Sequence, residues 1–455
     1  SKQIFDYLEQ EIGVKYPWKI YRQVPVRDFL YAGMENTTST IFAQDFVVDS
    51  IGFNDKNYIN VNAHELAHQW FGDLITAQSG KHHWLQEGFA TYYALLAEKE
   101  VFGDDYFYNE LYDYALQLRS AAKTDTIPVM NEKASSLSFY KKGAWALHTL
   151  REDIGAKNFQ KIVKKYLKKH QYKNVITDEF LAEVKKVVKT FDAENFKKTW
   201  LETSGFDMVL AESYLVKNKS VAAYIQLTKE KKDLENYKAI LESETYFPIK
   251  QYIFYKLANT PFEDKKELIE IGMKQNLYVR QAIAETVTKI PVEFKSQYET
   301  FLDDASYNTK EIALINLCKN FPEDKKNYLM KTKNIIGNND KSFRISWLSL
   351  DFLSDDDGYE KYLILQELLD FSSERYESSI RQNALEVLLK LAPDDYFVIA
   401  SLFRATTHHK WQFTKFSRDI IREKLKNSEF RNRVEELAKT TDEKTAALYL
   451  KFLKE

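Results

Sequence analysis

The sequence predicts a mostly helical α+β protein built from two domains. Residues 1–206 mix strand-like and helical segments: Ile41 to Val48 is rich in β-branched and aromatic residues, whereas Asn62 to Leu74 and Gln86 to Glu100 have helical periodicity. From residue 207 to residue 455 almost every segment is a short helix bounded by Asn, Asp, Gly or Pro. A chain of 455 residues is also too long for one ordinary core. We therefore expect one domain over residues 1–206 and a helical-repeat domain over residues 207–455.

The composition is that of a globular protein and excludes several classes of function. Hydrophobic residues make up 44% of the chain and charged residues 29%, with only 13 Gly and 8 Pro. The net charge is −2, so the chain lacks the basic excess that is typical of a nucleic-acid-binding protein. No apolar run approaches the roughly 18 residues that indicate a membrane span. We expect neither a nucleic-acid partner nor a membrane span.

The cysteine content bears on the cellular compartment. Cys318 is the single cysteine, so no intramolecular disulfide can form, which favours a reducing cytoplasmic location. The chain begins with Ser1 and runs directly into a helical pattern, so we expect the native N-terminus to be missing. A periplasmic or secreted location therefore stays open.

The strongest chemical signal is a pair of histidines four positions apart. His64 and His68 lie one helical turn apart, so both imidazoles can reach one metal ion. Glu65 is too close to them in sequence to be a third ligand with good geometry, but it is well placed as a general base for a metal-bound water. Imidazole and carboxylate ligands favour zinc, and a catalytic zinc site needs three protein ligands and one open position.

The third ligand is expected to be Glu87. It follows His68 after a short connection and stands near the start of a second predicted helix, where its carboxylate can face the first helix. His82 and His83 are also close in sequence, but loop histidines beside a site are usually polar surface, so they are not included. The alternative, two solvated helical histidines, is disfavoured by the glutamate at this spacing.

The helical half contains a weak internal repeat. Basic residues open successive apolar helical stretches, and they are Lys250, Arg280, Lys310, Arg344, Arg381 and Lys415. The intervals between them are irregular but lie within the range of about 20–45 residues that is typical of solenoid repeats. The pattern predicts a curved α-superhelix, with a non-repetitive helical bundle as the alternative. No ligand is assigned to the basic residues.

Four sequence blocks occur in a characteristic order. They are Ala32-Gly33-Met34-Glu35-Asn36, then His64-Glu65-x-x-His68 with Glu87, then Phe139-Tyr140-Lys141-Lys142-Gly143-Ala144, and finally Trp200-Leu201-Glu202-Thr203-Ser204-Gly205-Phe206. Together they resemble the M1 family of zinc aminopeptidases, gluzincins that include aminopeptidase N and leukotriene A4 hydrolase. The resemblance extends from the start of the chain to about Phe206, and the helical remainder matches in kind. It implies a thermolysin-like zinc metallopeptidase domain followed by a HEAT-like α-superhelix.

The resemblance also implies a role for each site residue. His64, His68 and Glu87 would hold one zinc ion per chain. Glu65 would take the proton of the zinc-activated water and pass it to the leaving amine. Tyr140 would donate a hydrogen bond to the oxyanion. The implied function is a zinc-dependent aminopeptidase, a metalloprotease that hydrolyses the N-terminal peptide bond of peptides.

The exopeptidase character rests on the first of the four blocks. By resemblance, Glu35 would pair with the free α-ammonium of the substrate, a charge-assisted contact worth about 1.5–3 kcal/mol. The peptide groups of Gly33 and Met34 could lie along the substrate backbone, since glycine permits close approach. The expected partners are therefore peptides with a free N-terminus.

The sequence departs from the family in three places. Only a short segment precedes Gly33, so the N-terminal β-domain of the family is expected to be absent and could be a missing part of the same protein. Ala94 stands where many members have a carboxylate that orients a ligand histidine, and Asp73, Glu98 or a backbone carbonyl could replace it. Thr37 stands where an aromatic residue is common, which should alter the pocket beside Glu35.

Two alternative functions remain. A zinc endopeptidase of the thermolysin type would share the metal motif, but Glu35 in its motif argues against it. A helical-repeat interaction scaffold with a vestigial metallopeptidase domain belongs to a different class, and the intact set of candidate catalytic residues argues against that hypothesis.

Overall fold

The computed structural model describes residues 1–229, 233–354 and 358–455, and these form two compact units. The first unit comprises Ser1–Pro25, Tyr31–Phe42 and Asn57–Ile253, and the second comprises Val26–Leu30, Ala43–Lys56 and Phe254–Glu455. Two short segments near the beginning of the chain therefore belong to the second unit, and the chain passes between the units five times. The domain boundary expected after Phe206 stays a prediction.

The chain up to Lys256 contains short strands and many helices. The helices, numbered along the chain, are α1 (Lys2–Ile12), α2 (Gly52–Asp55), α3 (Ile59–Ala67), α4 (Glu87–Phe102), α5 (Asp104–Ala121), α6 (Gly143–Ile154), α7 (Ala156–His170), α8 (Thr177–Val187), α9 (Ala193–Phe196), α10 (Met208–Leu215), α11 (Lys219–Lys229), α12 (Leu234–Glu242) and α13 (Phe247–Lys256). The strands are β1 (Arg22–Val26), β2 (Gly33–Met34), β3 (Ser39–Ala43), β4 (Ile75–Ala77) and β5 (Lys173–Val175).

Helix α4 runs through the core of the first unit. Every residue from Glu87 to Glu98 is buried, including Phe89, Tyr92 and Tyr93, so this helix is surrounded by protein on all sides. It packs most extensively on α3 and next on α6. The side chains at its N-terminus are therefore held in a dense and rigid setting.

Two small sheets accompany these helices. Strands β1, β3 and β2 form a three-stranded sheet in that order, and β2 pairs with β3 in an antiparallel register that places Gly33 opposite Phe42 and Met34 opposite Ile41. The turn between β2 and β3 carries Glu35. Strands β4 and β5 pair in parallel, with Ile75 opposite Lys173.

Two elements end earlier than the sequence pattern predicts. The helix expected over Asn62 to Leu74 ends at Ala67, because the chain turns at His68–Trp70 and Gly72 takes a φ of 143°, which glycine alone adopts readily. The strand expected over Ile41 to Val48 ends at Ala43 and continues as a 3-10 turn over Gln44–Phe46. The helix expected over Gln86 to Glu100 is present as α4.

The second unit is helical throughout its described residues after α13. Its further helices are α14 (Phe262–Gly272), α15 (Leu277–Thr286), α16 (Lys295–Tyr298), α17 (Tyr307–Asn320), α18 (Lys325–Thr332), α19 (Ser342–Phe352), α20 (Gly358–Phe371), α21 (Ser378–Leu391), α22 (Tyr396–Ala405), α23 (Trp411–Lys424), α24 (Ser428–Thr440) and α25 (Glu443–Leu453). The mostly helical α+β fold with a helical second part, predicted from the sequence, is confirmed. Within the described ranges, no helix has the length and apolar character that a membrane crossing requires.

Several of the regularly spaced basic residues have partners within the chain. The Nζ of Lys250 donates to the Ser243 carbonyl at 2.8 Å, and Nη1 of Arg280 donates to the Gln275 carbonyl at 2.8 Å. Arg344 forms a two-point pair with Glu367, through Nε at 2.8 Å and Nη2 at 2.7 Å. Cations with partners of this kind stabilise helix ends and helix pairs, and they supply no sign of a ligand site.

Candidate metal centre

His64, His68 and Glu87 come together at the N-terminus of the buried helix α4. His64 lies in the last turn of α3, His68 follows that helix directly, and Glu87 is the first residue of α4. The Nε2 atoms of the two histidines are 3.0 Å apart, and Oε2 of Glu87 lies 3.1 Å from the Nε2 of His68 and 3.3 Å from that of His64. A tetrahedral zinc ion with bonds of about 2.0–2.1 Å would separate its ligand atoms by about 3.3 Å. The three donors therefore fit a zinc ion.

The charges at this position also favour a cation. Burial alone would raise the pKa of Glu87, but its contacts with His64 and His68 hold that pKa well below its usual range. Burial lowers the pKa of His64. Burial would lower the pKa of His68 as well, but the contact with Glu87 raises it to about 10. A divalent cation would replace the proton that His68 otherwise holds and leave both imidazoles neutral, as ligation requires.

A backbone carbonyl orients the ring of His68. Its Nδ1 lies 2.8 Å from the Phe71 oxygen, and because a carbonyl can only accept, Nδ1 carries the hydrogen and Nε2 is free to bind a metal. The sequence left three candidates for the group that orients a ligand histidine, namely Asp73, Glu98 and a backbone carbonyl. For His68 it is the backbone carbonyl. Glu98 instead accepts from Asn60 and Tyr106, and the carboxylate of Asp73 accepts from Thr37.

Glu65 lies beside the three donors without joining them. It is only 6% exposed, and its Oε2 has no hydrogen-bond partner among the described residues. Burial, reinforced by the nearby carboxylates of Glu35 and Glu87, raises the pKa of Glu65 to about 8. Gly33 packs directly against it, because a Cβ at position 33 would overlap Oε1 of Glu65. The glycine thus makes room for a buried carboxyl group that can carry a proton.

Glu35 projects from the β2–β3 turn into the same region. One carboxylate oxygen of Glu35, one of Glu65 and a ring nitrogen of His68 all lie within 4.8 Å of one another. Met34 and Gly33 precede Glu35 on the short strand β2. The carboxylates of Glu35 and Glu65 therefore add negative charge beside the group formed by His64, His68 and Glu87, where a cation or an ammonium group would be attracted.

Tyr140 faces the donors from a π-helical turn over Ser138–Lys142. Its ring stacks on that of His64, with centroids 5.4 Å apart and planes 7° from parallel. Burial and the neighbouring Glu87 carboxylate, to which it donates a hydrogen bond, raise the pKa of Tyr140, so its hydroxyl stays protonated. Helices α4 and α6 approach closely here, because a Cβ on Gly143 would lie 3.0 Å from the Cα of Gly88. Two glycines therefore allow Tyr140 to reach the site.

The two loop histidines occupy different surroundings. Nδ1 of His82 lies 3.0 Å from Oγ1 of Thr177, where it ties the loop to α8. The side chain of His83 is 41% exposed, and its Nε2 lies 3.9 Å from Oε1 of Glu87. His83 is therefore a neighbour of the third donor and lies outside the close group.

The sequence motif does not single out Gln69, although it lies between His68 and Trp70. It is 0% exposed, and its amide contacts the backbone of the turn that carries Glu35. A polar side chain next to a candidate ligand could have drawn attention to this position. The motif does not reveal, however, that the amide is buried or which segment it contacts.

A buried His-His-Glu donor group with a further carboxyl beside it defines a metallohydrolase type of centre. Residues 1–200 match the peptidase family M1 domain. The chain is 32% identical over 207 residues to aminopeptidase M1-D of Oryza sativa, an alignment that covers 43% of this chain and 24% of the relative. It is 31% identical over 192 residues to human endoplasmic reticulum aminopeptidase 2, covering 39% and 20% respectively.

The structural likeness extends further along the chain than the sequence likeness. The native yeast leukotriene A4 hydrolase structure matches with a TM-score of 0.53 at 17% identity, over 91% of this chain and 61% of that one. This likeness concerns the fold alone. The sequence alignments span about a fifth to a quarter of the length of these curated relatives. The match of residues 1–200 to the peptidase family M1 domain confirms the resemblance predicted from the four sequence blocks.

Proposed function

We propose that this protein is a metallo-aminopeptidase that removes single residues from peptides with a free N-terminus, with one zinc ion per chain. The family whose domain residues 1–200 match supports a zinc peptidase. The ligands would be His64, His68 and Glu87, whose donor atoms lie at zinc-like separations. Glu35, with the Gly33 and Met34 backbone, would bind the substrate.

The observation that carries the proposal is the closeness of Glu35 to the metal group. In an aminopeptidase the α-nitrogen of the substrate lies only about 2.5 Å from the scissile carbonyl carbon, because one Cα separates them. A carboxylate that binds this ammonium must therefore sit a few ångströms from the metal. Glu35 meets that condition, since its oxygen is within 4.8 Å of both the His68 nitrogen and a Glu65 oxygen.

The remaining residues supply proton transfer and charge stabilisation. When bound, zinc supplies Lewis-acid polarisation of the scissile carbonyl and a lowered pKa for water in its open position. Glu65 has a buried oxygen without a partner among the described residues, so it can accept a proton from the attacking water and deliver it to the leaving amine. Tyr140 keeps its hydroxyl protonated and can donate to the developing oxyanion.

Two competing functions make different demands on Glu35. A zinc endopeptidase needs open space where the residues before the scissile bond would lie, and a negative charge at that point disfavours an acylated nitrogen. A vestigial peptidase on a helical scaffold needs no such group at all. The convergence of Glu35, Glu65 and His68 favours the aminopeptidase over both.

The test combines Glu65→Gln with a pair of substrates. We expect the substitution to lower kcat by about 10²–10⁴-fold on an aminoacyl p-nitroanilide, because the general base is lost, while the bound zinc remains near one per chain. The unaltered protein should cleave a free peptide and leave its N-acetylated form intact. Equal cleavage of both peptides would contradict the exopeptidase proposal, and metal-free native protein would contradict the zinc site.

A further inference from the structure

Gln69 connects the segment that carries the metal donors to the turn that carries Glu35. Its Oε1 accepts the Thr38 amide hydrogen at 2.8 Å, and its Nε2 donates to the Glu35 carbonyl at 3.1 Å. The hydroxyl of Tyr16 also lies 3.3 Å from Oε1. The side chain is completely buried and directly follows the candidate ligand His68. One amide thus holds both ends of the turn from a position next to the metal group.

The turn itself is held in an unfavourable backbone conformation. The amide of Ser39 donates to the Asn36 carbonyl at 2.8 Å and closes a turn in which Thr38 has a φ of +66°. A β-branched residue rarely adopts this left-handed conformation, and it persists where surrounding contacts enforce it. The contact from Gln69 to the Thr38 amide is such a contact. The position of Glu35 therefore depends on more than the two residue pairs of the β2–β3 ladder.

The chemistry of a neutral amide suits this position. The side chain must accept from one backbone amide and donate to one backbone carbonyl at the same time, which a glutamine does with its two ends. A glutamate could only accept, and it would add a buried negative charge near Glu35 and Glu65. A methionine of similar shape would leave both backbone groups without this partner.

We propose that Gln69 is a positioning residue for substrate-amine recognition: it fixes the Glu35 carboxylate at the distance from the metal ligands that a free N-terminal residue requires. This inference rests on the proposed aminopeptidase function. Gln69 acts through the backbone of Glu35 and Thr38 and not through a direct contact with substrate or metal. Its loss should therefore weaken recognition of the α-ammonium more than it weakens bond cleavage itself.

The experiment measures amine selectivity, defined as kcat/KM for an aminoacyl p-nitroanilide divided by kcat/KM for the same compound without its α-amino group. We expect Gln69→Met to lower this ratio by at least about tenfold, mainly through KM, with zinc content unchanged. Asn62→Leu is the matched control, because Asn62 is a buried amide of α3 whose partners are Gln23 and Ser1. The control should leave the ratio within about twofold of its original value.

A second variant separates the lost donor from the lost acceptor. Gln69→Glu retains the acceptor for Thr38 and Tyr16 and removes the donor to Glu35, but it also adds a buried negative charge, so the melting temperature and the zinc content are measured together with the ratio, which should still fall. In a Glu35→Gln background, Gln69→Met should have little further effect on the ratio, because both act through one group. A folded, zinc-loaded Gln69→Glu protein with an unchanged ratio would overturn the inference.

Failure of the proposed aminopeptidase function can be distinguished from failure of the positioning role of Gln69. If Glu35→Gln leaves the amine selectivity unchanged, then the proposed function is wrong at the level of amine recognition. If Glu35→Gln abolishes the selectivity while both Gln69 variants keep it, then only the positioning role of Gln69 is wrong.

Discussion

The metal centre of the first unit and the helix pairs of the second unit differ in how they accommodate buried charge. In the second unit, Lys265 is 4% exposed, and its Nζ donates to the Leu257 and Ala258 carbonyls at 2.7 and 3.2 Å. In the first unit, Glu65 is 6% exposed and has a buried oxygen without a partner among the described residues. The buried ammonium of Lys265 is satisfied by backbone carbonyls and serves the fold, whereas the buried oxygen of Glu65 is available to a group that binds at the metal centre.

Among the variants that test this comparison between the two units, the largest effect is expected at Gly33, in the metal centre. Gly33→Ala should lower kcat/KM by about 10²-fold, because the new Cβ would displace Glu65 and a misplacement of about 1 Å can have that effect. The measurement is steady-state kinetics with an aminoacyl p-nitroanilide, together with the melting temperature. Gly205→Ala is the control, since its Cβ would meet nothing nearer than Oγ1 of Thr203 at 3.7 Å. Full activity of Gly33→Ala would show that Glu65 has room to move.

An intermediate effect is expected in the second unit, on stability instead of turnover. Lys265→Met should lower the free energy of unfolding by about 1–3 kcal/mol, because two carbonyls at the end of α13 lose a buried donor. Urea unfolding measures this change, and kcat per folded molecule should stay the same. The neighbouring Lys266→Met, at a partly exposed position, should change stability by less than about 0.5 kcal/mol. A similar loss from both variants would contradict the capping role of Lys265.

The smallest expected effect concerns an acidic cluster in the second unit, formed by Glu377, Asp45 and Asp28. It provides a second group of close carboxylates to compare with the metal centre. Burial and the neighbouring carboxylates of Asp45 and Asp28 raise the pKa of Glu377 from 4.5 to about 7, while Lys410 opposes them. Between the two pKa values the folded chain therefore binds more protons than the unfolded chain. The free energy of unfolding should therefore decrease as the pH rises through this window, between about pH 5 and pH 8. After allowance for solvent screening, Glu377→Gln should make this decrease smaller by about 1–2 kcal/mol.

The free energy of unfolding is measured by urea titration at both ends of that pH window, for the unaltered protein and for Glu377→Gln. An equal pH dependence with and without Glu377 would show that other groups control it. Glu374→Gln serves as the comparison, because Glu374 is exposed and lies only three residues before Glu377 in the sequence.

Much of the metal group could be predicted from the sequence because its geometry is local. His64 and His68 are one helical turn apart, and Glu87 begins the next long helix, so convergence follows from helix periodicity and a short connection. The carbonyl of Phe71 could not be assigned in the same way. It reaches His68 only because α3 ends at Ala67, well before Leu74, where the hydrophobic pattern ends.

The longer-range contacts could not be predicted from the sequence. The approach of Gly88 to Gly143 and the contact from Gln69 to Thr38 join segments that are distant along the chain, and neither follows a periodic pattern. In the helical half, the apolar periodicity predicted helices, and these are present. The spacing of basic residues could not distinguish Arg344, which pairs with Glu367, from a solvated surface position, because the partner lies in the next helix.

The passage of the chain between both units has a consequence for how the protein can be divided. The carboxylate of Asp28 accepts from the amide of Ser378 at 2.7 Å, and Asp55 accepts from the amide of Tyr307 at 2.8 Å, so two stretches near the beginning of the chain depend on residues far downstream. A gene cut near residue 206 would separate these carboxylates from their partners on both sides of the Glu35 hairpin. The residues on both sides of such a cut would therefore have to be expressed as one chain for these two hydrogen bonds to form.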